Sequence, residues 1–341
     1  MPKKRVDFDD RLLNRIHGCL AGVAVGDAFG MPMASWTPME VKRRYGYVTQ
    51  LIAPNPDHPL HGKLPIGSIT DDTQLTMAVV DMILRDSKVS HYGMADRIVK
   101  WVRENNLLET RIFGPSTIHA VQMLMAGHDP SDTGKAGTTN GGAMKIAPIG
   151  IINVARPMMK LIDDVEETCM PTHYTSVALA ASSAVAAAVS EALRTDSTIN
   201  SVVNAARRAA RMGELRGTQL AFPSIEKRIA MAVRLVKGRT PEVASEALYD
   251  RIGADISSSA SIPTAIGLFA AANGDPIATI ILTANMGGDT DTIGAIAGGI
   301  SGAYTGVDAF PKPILDTVER VNTLDLREKS KLLMEYARIY K

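Results

Sequence analysis

Where this sequence carries a hydrophobic period, the period is helical, and its apolar positions are filled largely by alanine and other small residues. From Leu75, the positions Ala78, Val79, Met82 and Ile83 follow at i+3, i+4, i+7 and i+8, which marks one buried stripe. The segment from Ser176 to Leu193 is mostly alanine on several faces, as expected of a central helix with close neighbours on all sides. The spacing predicts further helices over 10–28, 38–45, 95–104, 116–126, 199–211, 225–236, 241–249, 262–272, 276–284 and 291–303. Continuous β-type alternation is scarce. Glycine and proline cluster at 53–68, 134–142 and 285–288, each flanked at short range by strong helical segments, so these are loops within one unit rather than linkers between units. The expectation is an all-α single domain over residues 1–341, ordered over approximately 10–338, with no solenoid repeat.

Charge and cysteine usage narrow the classes of partner. Lys plus Arg (37) nearly cancels Asp plus Glu (36), leaving no field of one sign for nucleic acid or an anionic membrane. The expected partner is a small molecule or another protein. Two cysteines far apart, Cys19 and Cys169, fit a reducing compartment, and the segment 1–10 has no apolar h-region. The apolar run from Val177 to Val189 is alanine-rich and interrupted by Ser182 and Ser183, so it reads as a packed helix. A cytoplasmic protein is expected.

Two motifs concentrate oxygen donors at helix starts. The first, Ser68-Ile69-Thr70-Asp71-Asp72-Thr73-Gln74, directly precedes the Leu75 stripe. Two adjacent carboxylates thus sit where exposed N–H groups and the helix dipole favour negative charge. The second, Asn285-Met286-Gly287-Gly288-Asp289-Thr290-Asp291-Thr292, also opens an apolar-periodic segment, with Ile293, Ile296, Ala297 and Ile300 at helical spacing. Its two glycines permit a tight turn. Ordinary capping explains either motif alone. Their coincidence points to hard cations, since four carboxylates from two helix starts can hold two Mg²⁺ ions, with Mn²⁺ as the alternative.

Other candidates are weaker. Gly137-Thr138-Thr139-Asn140-Gly141-Gly142-Ala143-Met144-Lys145 is a glycine-rich loop able to present N–H groups to phosphate or ribose, with Lys145 as an added cation, or else a plain helix connection. His173, in Thr172-His173-Tyr174-Thr175, is either a cap or a cleft residue. His58 and His61 lack a third zinc ligand nearby, and suit a substrate-facing lid or a surface loop. Asp27 ends the first predicted helix, with Gly30 as its left-handed stop, and its carboxylate faces either the same centre or water.

Taken in order, these elements resemble the ADP-ribosylglycohydrolase family, which includes the enzyme that removes ADP-ribose from dinitrogenase reductase. The resemblance rests on Gly26-Asp27-Ala28-Phe29-Gly30, Ile69-Thr70-Asp71-Asp72-Thr73, Asn140-Gly141-Gly142-Ala143-Met144, Thr172-His173, Ser261-Ile262-Pro263 and the 285–292 motif, nearly end to end. It implies an orthogonal helix bundle with a binuclear magnesium centre held by Thr70, Asp71, Asp72, Asp289, Asp291 and Thr292. It also implies a cleft whose ribose and phosphate side is lined by Asn140, Gly141, Gly142, Met144 and His173, with Asp27 at the same site. Two departures matter. Members that act on ADP-ribosyl bonds often carry a glutamate four residues after the glycine matching Gly30, where this chain has Ala34. Lys145 stands where arginine is common, losing a bidentate fork for diphosphate.

The expected reaction is magnesium-dependent hydrolysis of an N-glycosidic bond in an ADP-ribosyl or nucleoside-like riboside, free or protein-linked. Asp71, Asp72 and Asp289 are its candidate catalytic residues. The alternatives are a nucleoside hydrolase on the same centre and a metal-loaded ADP-ribose or nucleoside binder without turnover. A prenyl-diphosphate enzyme would want a third aspartate where Leu75 stands, and a dehalogenase-type phosphatase would want a strand before its aspartates.

Overall fold

The computed structural model describes residues 2–105, 114–154 and 156–339, with side chains over 9–338 of that set. Among the described residues there are 17 α-helices and no strand, only isolated bridges at Thr139–Ser257 and Thr175–Thr218. The first six helices are α1 (Pro2–Gly30), α2 (Pro38–Tyr45), α3 (Asp71–Asp86), α4 (His91–Glu104), α5 (Pro115–Met125) and the single turn α6 (Pro130–Thr133). Then come α7 (Ala147–Ile152), α8 (Met158–Cys169), α9 (Ser176–Ala192), α10 (Ile199–Gly213), α11 (Ile225–Val236) and α12 (Pro241–Arg251). The chain ends with α13 (Ser258–Ala271), α14 (Pro276–Met286), α15 (Thr290–Thr305), α16 (Lys312–Asn322) and α17 (Leu326–Ile339).

The axis of the molecule is the pair α1 and α15, and glycine decides how they meet. Gly18, Gly22, Gly26 and Gly30 recur at i+4 and so share one face of α1. A Cβ built on Gly22 would lie 2.0 Å from Gly298 O, on Gly26 2.0 Å from Gly294 O, and on Gly30 2.1 Å from Thr290 O. The partner number falls as the α1 number rises, so the helices run antiparallel in fixed register with backbones in direct contact. No side chain larger than hydrogen fits along this seam. The expected left-handed stop at Gly30 is therefore corrected: Gly30 has φ −80° and ψ −31°, ordinary helical values, and is glycine because α15 occupies the space of a Cβ.

Around this axis the other helices bury their small-residue faces. In α9 the residues from Ser176 to Val189 are all buried, which bears out a central helix surrounded by neighbours. Its start is set by Thr175, whose hydroxyl accepts from Ala178 N. Helices α2 and α11 lie where the spacing predicts them at both ends. Helices α6, α7, α8, α16 and α17 go beyond the predicted set. No helix among the described residues is long and apolar enough to cross a membrane.

Candidate functional site

The start of α3 is built around Asp27, which α1 delivers fully buried. Its carboxylate accepts from Thr70 N (3.1 and 3.0 Å), Thr70 Oγ1 (2.8 Å), Thr73 N (3.1 Å) and Thr73 Oγ1 (2.6 Å). One side chain of α1 thereby fixes the first turn of α3, and Thr70, the N-cap, directs its hydroxyl toward Asp27 and Asp72. The start of α15 is set by the turn before it. Gly287 (φ +77°) and Gly288 (φ +85°) adopt left-handed backbone, and a Cβ on Gly288 would lie 2.2 Å from Ala254 O. Ser35 N donates to Gly288 O (2.7 Å) and Gly288 N to Trp36 O (2.8 Å), lacing the 34–36 segment to this turn.

The two acidic helix starts meet. Thr292 Oγ1 of α15 lies 3.3 Å from Asp72 Oδ2 of α3, which is also 2.9 Å from Thr70 Oγ1. Asn140 Nδ2 donates to Asp289 Oδ2 at 2.5 Å, bringing in the 139–144 loop. Above them opens a cleft of ≈ 220 Å³ whose floor is Asp71, Asp72, Asp289, Asp291 and Thr292. Asn140, Gly141, Met144, Ala34, Ser35, Leu60, His61, Pro115, Thr117 and Ile256 also line the cleft.

Packing acids this closely out of water makes them hold protons. Burial pushes Asp71 up to about 7, helped by the charge of Asp27, and pushes Asp27 up to about 6 against its own hydrogen bonds. Asp72 and Asp291 are raised well above the carboxylate range, by burial first and then by the neighbouring carboxylates, and Asp289 is raised by burial. No Lys or Arg among the described residues lines the cleft.

This donor set fits divalent cations. Asp72 Oδ1 is buried without a hydrogen-bond partner, and against five buried acids stands a single cation among the described residues, Lys145, which acts on Asp71 from outside the cleft lining. Among the described residues no three or more His, Cys, Asp or Glu side chains are arranged so that they alone could hold a metal ion. The donors are instead carboxylates mixed with threonine hydroxyls, which suits a hard ion that keeps several of its waters rather than one caged by protein.

Several predicted positions lie elsewhere than expected. Lys145 is 1 % exposed, and its ammonium donates to Gly141 O (2.7 Å) and Thr172 Oγ1 (3.3 Å); it braces the loop from behind and offers no cation to a phosphate in the cleft. His173 is wholly buried behind the same loop, between Thr139 Oγ1 (3.0 Å) and Thr172 Oγ1 (2.8 Å), and burial lowers its proton affinity. Gly141 and Gly142 are glycine because a Cβ would meet His173 Cε1 at 2.8 Å and Ser182 Oγ at 2.9 Å. Gly142, His173 and Asp27 thus support the cleft without lining it. His58 and His61 are 6 % and 3 % exposed, turned inward from a loop whose other residues are largely exposed, and His61 lines the cleft. Ser35, Thr117 and Ile256 reach the cleft with no motif to announce them; only the positive φ of Ser35 (67°) marks it, and that is a structural signal.

An all-α bundle that gathers acidic helix starts from opposite ends of its sequence at one cleft floor defines a class of glycohydrolase. The chain belongs to the ADP-ribosylglycohydrolase family, whose model matches residues 9–340, and is accordingly a hydrolase acting on glycosidic bonds. It is 32% identical to the uncharacterized protein YegU of Escherichia coli, over 94% of this chain and 97% of that protein. It is 26% identical to human ADP-ribosylhydrolase ARH3 (94% of this chain, 93% of that one). Against the ADP-ribosylarginine hydrolase Tri1 of Pseudomonas putida the figure is 25%, over 91% of this chain and 75% of the other. A solved structure described as an ADP-ribosylglycohydrolase-related protein complex superposes with a TM-score of 0.71 at 25% identity, covering 97% of this chain and 100% of that one. The family is generally metal-dependent.

Proposed function

We propose that this enzyme hydrolyses the N-glycosidic bond of an ADP-ribosyl group or related riboside, with two Mg²⁺ ions held by Thr70, Asp71, Asp72, Asp289, Asp291 and Thr292. The observation that carries this reading is the meeting of Asp72 and Thr292, 220 residues apart in sequence, among crowded buried acids with no Lys or Arg in the described cleft lining. When bound, such ions polarise ribose hydroxyls and make a nucleophile available from water at neutral pH. The carboxylates of the floor stabilise the positive charge that develops at the anomeric carbon as the bond breaks. In this reading Asp71, a half-buried residue of the cleft lining, takes the proton released by the attacking water. Asn140 fixes the rotamer of Asp289, and Met144 and Ile256 furnish apolar walls that limit access of bulk water.

Substrate choice follows from the same walls. The names of human ARH3 and of Tri1 support an ADP-ribosyl substrate. Against a large anionic one stands the lack of any Lys or Arg among the described cleft-lining residues, which favours free nucleosides or small ribosides as the second choice. The balanced charge and two buried free cysteines support a cytoplasmic location.

The test is a magnesium-supplemented screen over ADP-ribosyl-arginine, ADP-ribosyl-serine, nucleosides and nucleotides, with chelated and Asp289→Ala protein alongside. The expected outcome is turnover on at least one riboside that falls by about 10²–10³-fold in the variant, the scale of losing one preorganised electrostatic group. Full magnesium-dependent turnover in Asp289→Ala would overturn the assignment of this residue. Tight ADP-ribose binding with no released sugar or base would favour a binding protein instead.

A further inference from the structure

His61 is 3 % exposed on the wall of the cleft, and neither of its ring nitrogens has a hydrogen-bond partner among the described residues. Nε2 stands 3.8 Å from Asp291 Oδ2, beyond hydrogen-bond reach, and Nδ1 is buried with no partner at all. Buried polar atoms are rarely left so.

The ring is nevertheless held firmly, by its neighbours rather than through its own nitrogens. His58 Nδ1 accepts from Leu60 N (3.2 Å) and His61 N (3.0 Å), so its proton is on Nε2, which donates to Ala34 O at 2.9 Å. The His61 ring packs on His58 (centroids 5.0 Å apart), His58 meets the edge of Trp36 (5.6 Å), and the Arg44 guanidinium covers Trp36 at 4.0 Å. Asp57 anchors Arg44 with two bonds of 2.8 Å. This ladder fixes His61 against the acidic floor while leaving its donor atoms free.

We propose, resting on the metal-centre reading above, that His61 is a further ligand of that centre, giving it one imidazole nitrogen among oxygen donors. At 3.8 Å, Nε2 makes no hydrogen bond to Asp291. A lone pair held 3.8 Å from a carboxylate oxygen instead suits a shared cation, since two donors about 2.1–2.2 Å from one ion lie between roughly 3.0 and 4.4 Å apart. Imidazole nitrogen binds first-row transition ions better than Mg²⁺, and Mn²⁺ is the member of that row that also suits an oxygen-rich site, so His61 favours Mn²⁺ over Mg²⁺ here.

Pulsed electron paramagnetic resonance of the Mn²⁺-loaded full chain reads this directly. The expected result is a ¹⁴N modulation in the wild-type protein that disappears in His61→Gln, with Mn²⁺ affinity falling about tenfold or more while Mg²⁺ affinity holds within about twofold. Incorporating ¹⁵N-histidine tests the same contact without changing any residue: the ¹⁴N coupling gives way to a ¹⁵N one. Bound Mn²⁺ with no nitrogen coupling, or a coupling that survives in His61→Gln, overturns the role of His61 and leaves the acidic centre standing. Failure of the wild-type protein to bind either ion overturns the centre itself.

Discussion

Asp72 places one carboxylate oxygen between the hydroxyls of Thr70 and Thr292 and leaves the other buried and unpartnered. Such a side chain costs stability in the ion-free protein and is retained for what it binds. Asp72→Asn should therefore raise the melting temperature of chelated protein while removing most of the stabilisation that Mg²⁺ gives, both measurable by thermal unfolding. Lys145 makes the opposite case, a charged residue whose work is structural. Lys145→Met leaves Gly141 O and Thr172 Oγ1 without their donor and should lower stability by about 1–3 kcal/mol in denaturant titration. At this scale the sequence announced the acids and said little of their neighbours. Asp71, Asp72, Asp289 and Asp291 stand in recognisable motifs, whereas Ser35, His61 and Ile256 enter the cleft from loops whose path no local pattern encodes.

At the scale of elements, the seam of α1 against α15 sets the geometry of everything above it. The first turn of α15 carries Asp291 and Thr292, and the last turn of α1 carries Asp27, so a shift in this packing moves one half of the centre relative to the other. Gly26→Ala puts a methyl 2.0 Å from Gly294 O and should cost at least about 1–3 kcal/mol in denaturant unfolding and weaken divalent-ion binding as well. Gly114→Ala is the control: the nearest heavy atom is Thr139 Oγ1 at 3.9 Å and φ is −62°, so its stability should stay within about 0.5 kcal/mol of wild type. The i+4 glycine run in α1 is visible in the sequence, but its partner helix is not. Of helices α7 and α8, neither in the predicted set, only the first lacks a periodic signal. The first is six residues long and buried on every side; the second begins after Pro157 and carries the stripe Leu161, Ile162, Val165 and Cys169, which is legible on inspection.

For the whole molecule, the decisive quantity is the coupling of protons to the acidic floor. Carboxylates whose proton affinity is higher in the folded than in the unfolded state contribute stability while protonated, and lose it as pH rises through the folded value. With Asp27 pushed up to about 6 and Asp71 to about 7, chelated protein should lose stability from these groups between about pH 4 and pH 7. His61, pushed down to about 4 by burial, and His173, lowered by burial, act in the opposite sense in acid, so the metal-dependent difference is the clean observable. The rise in melting temperature on adding Mg²⁺ should be small near pH 5 and large near pH 8, because the ions displace the protons that the floor otherwise retains. At a hundredfold excess over Kd the gain should approach about 2.7 kcal/mol. A pH-independent gain would show that the ions bind away from these carboxylates.

The sequence by itself determined that the chain is an all-α bundle, since helical periodicity and small-residue faces leave no other way to bury its apolar surface. It also determined that Asp71, Asp72, Asp289 and Asp291 stand at two helix starts, because the motifs are local and the apolar stripes begin directly after them. Only the tertiary structure decided that those starts meet, through backbone contact between α1 and α15 and the grip of Asp27 on Thr70 and Thr73. It likewise decided that Lys145 and His173 support the cleft from behind and that His61 faces it. Which side of a loop a polar residue occupies depends on contacts far away in sequence, and periodicity carries no information about them.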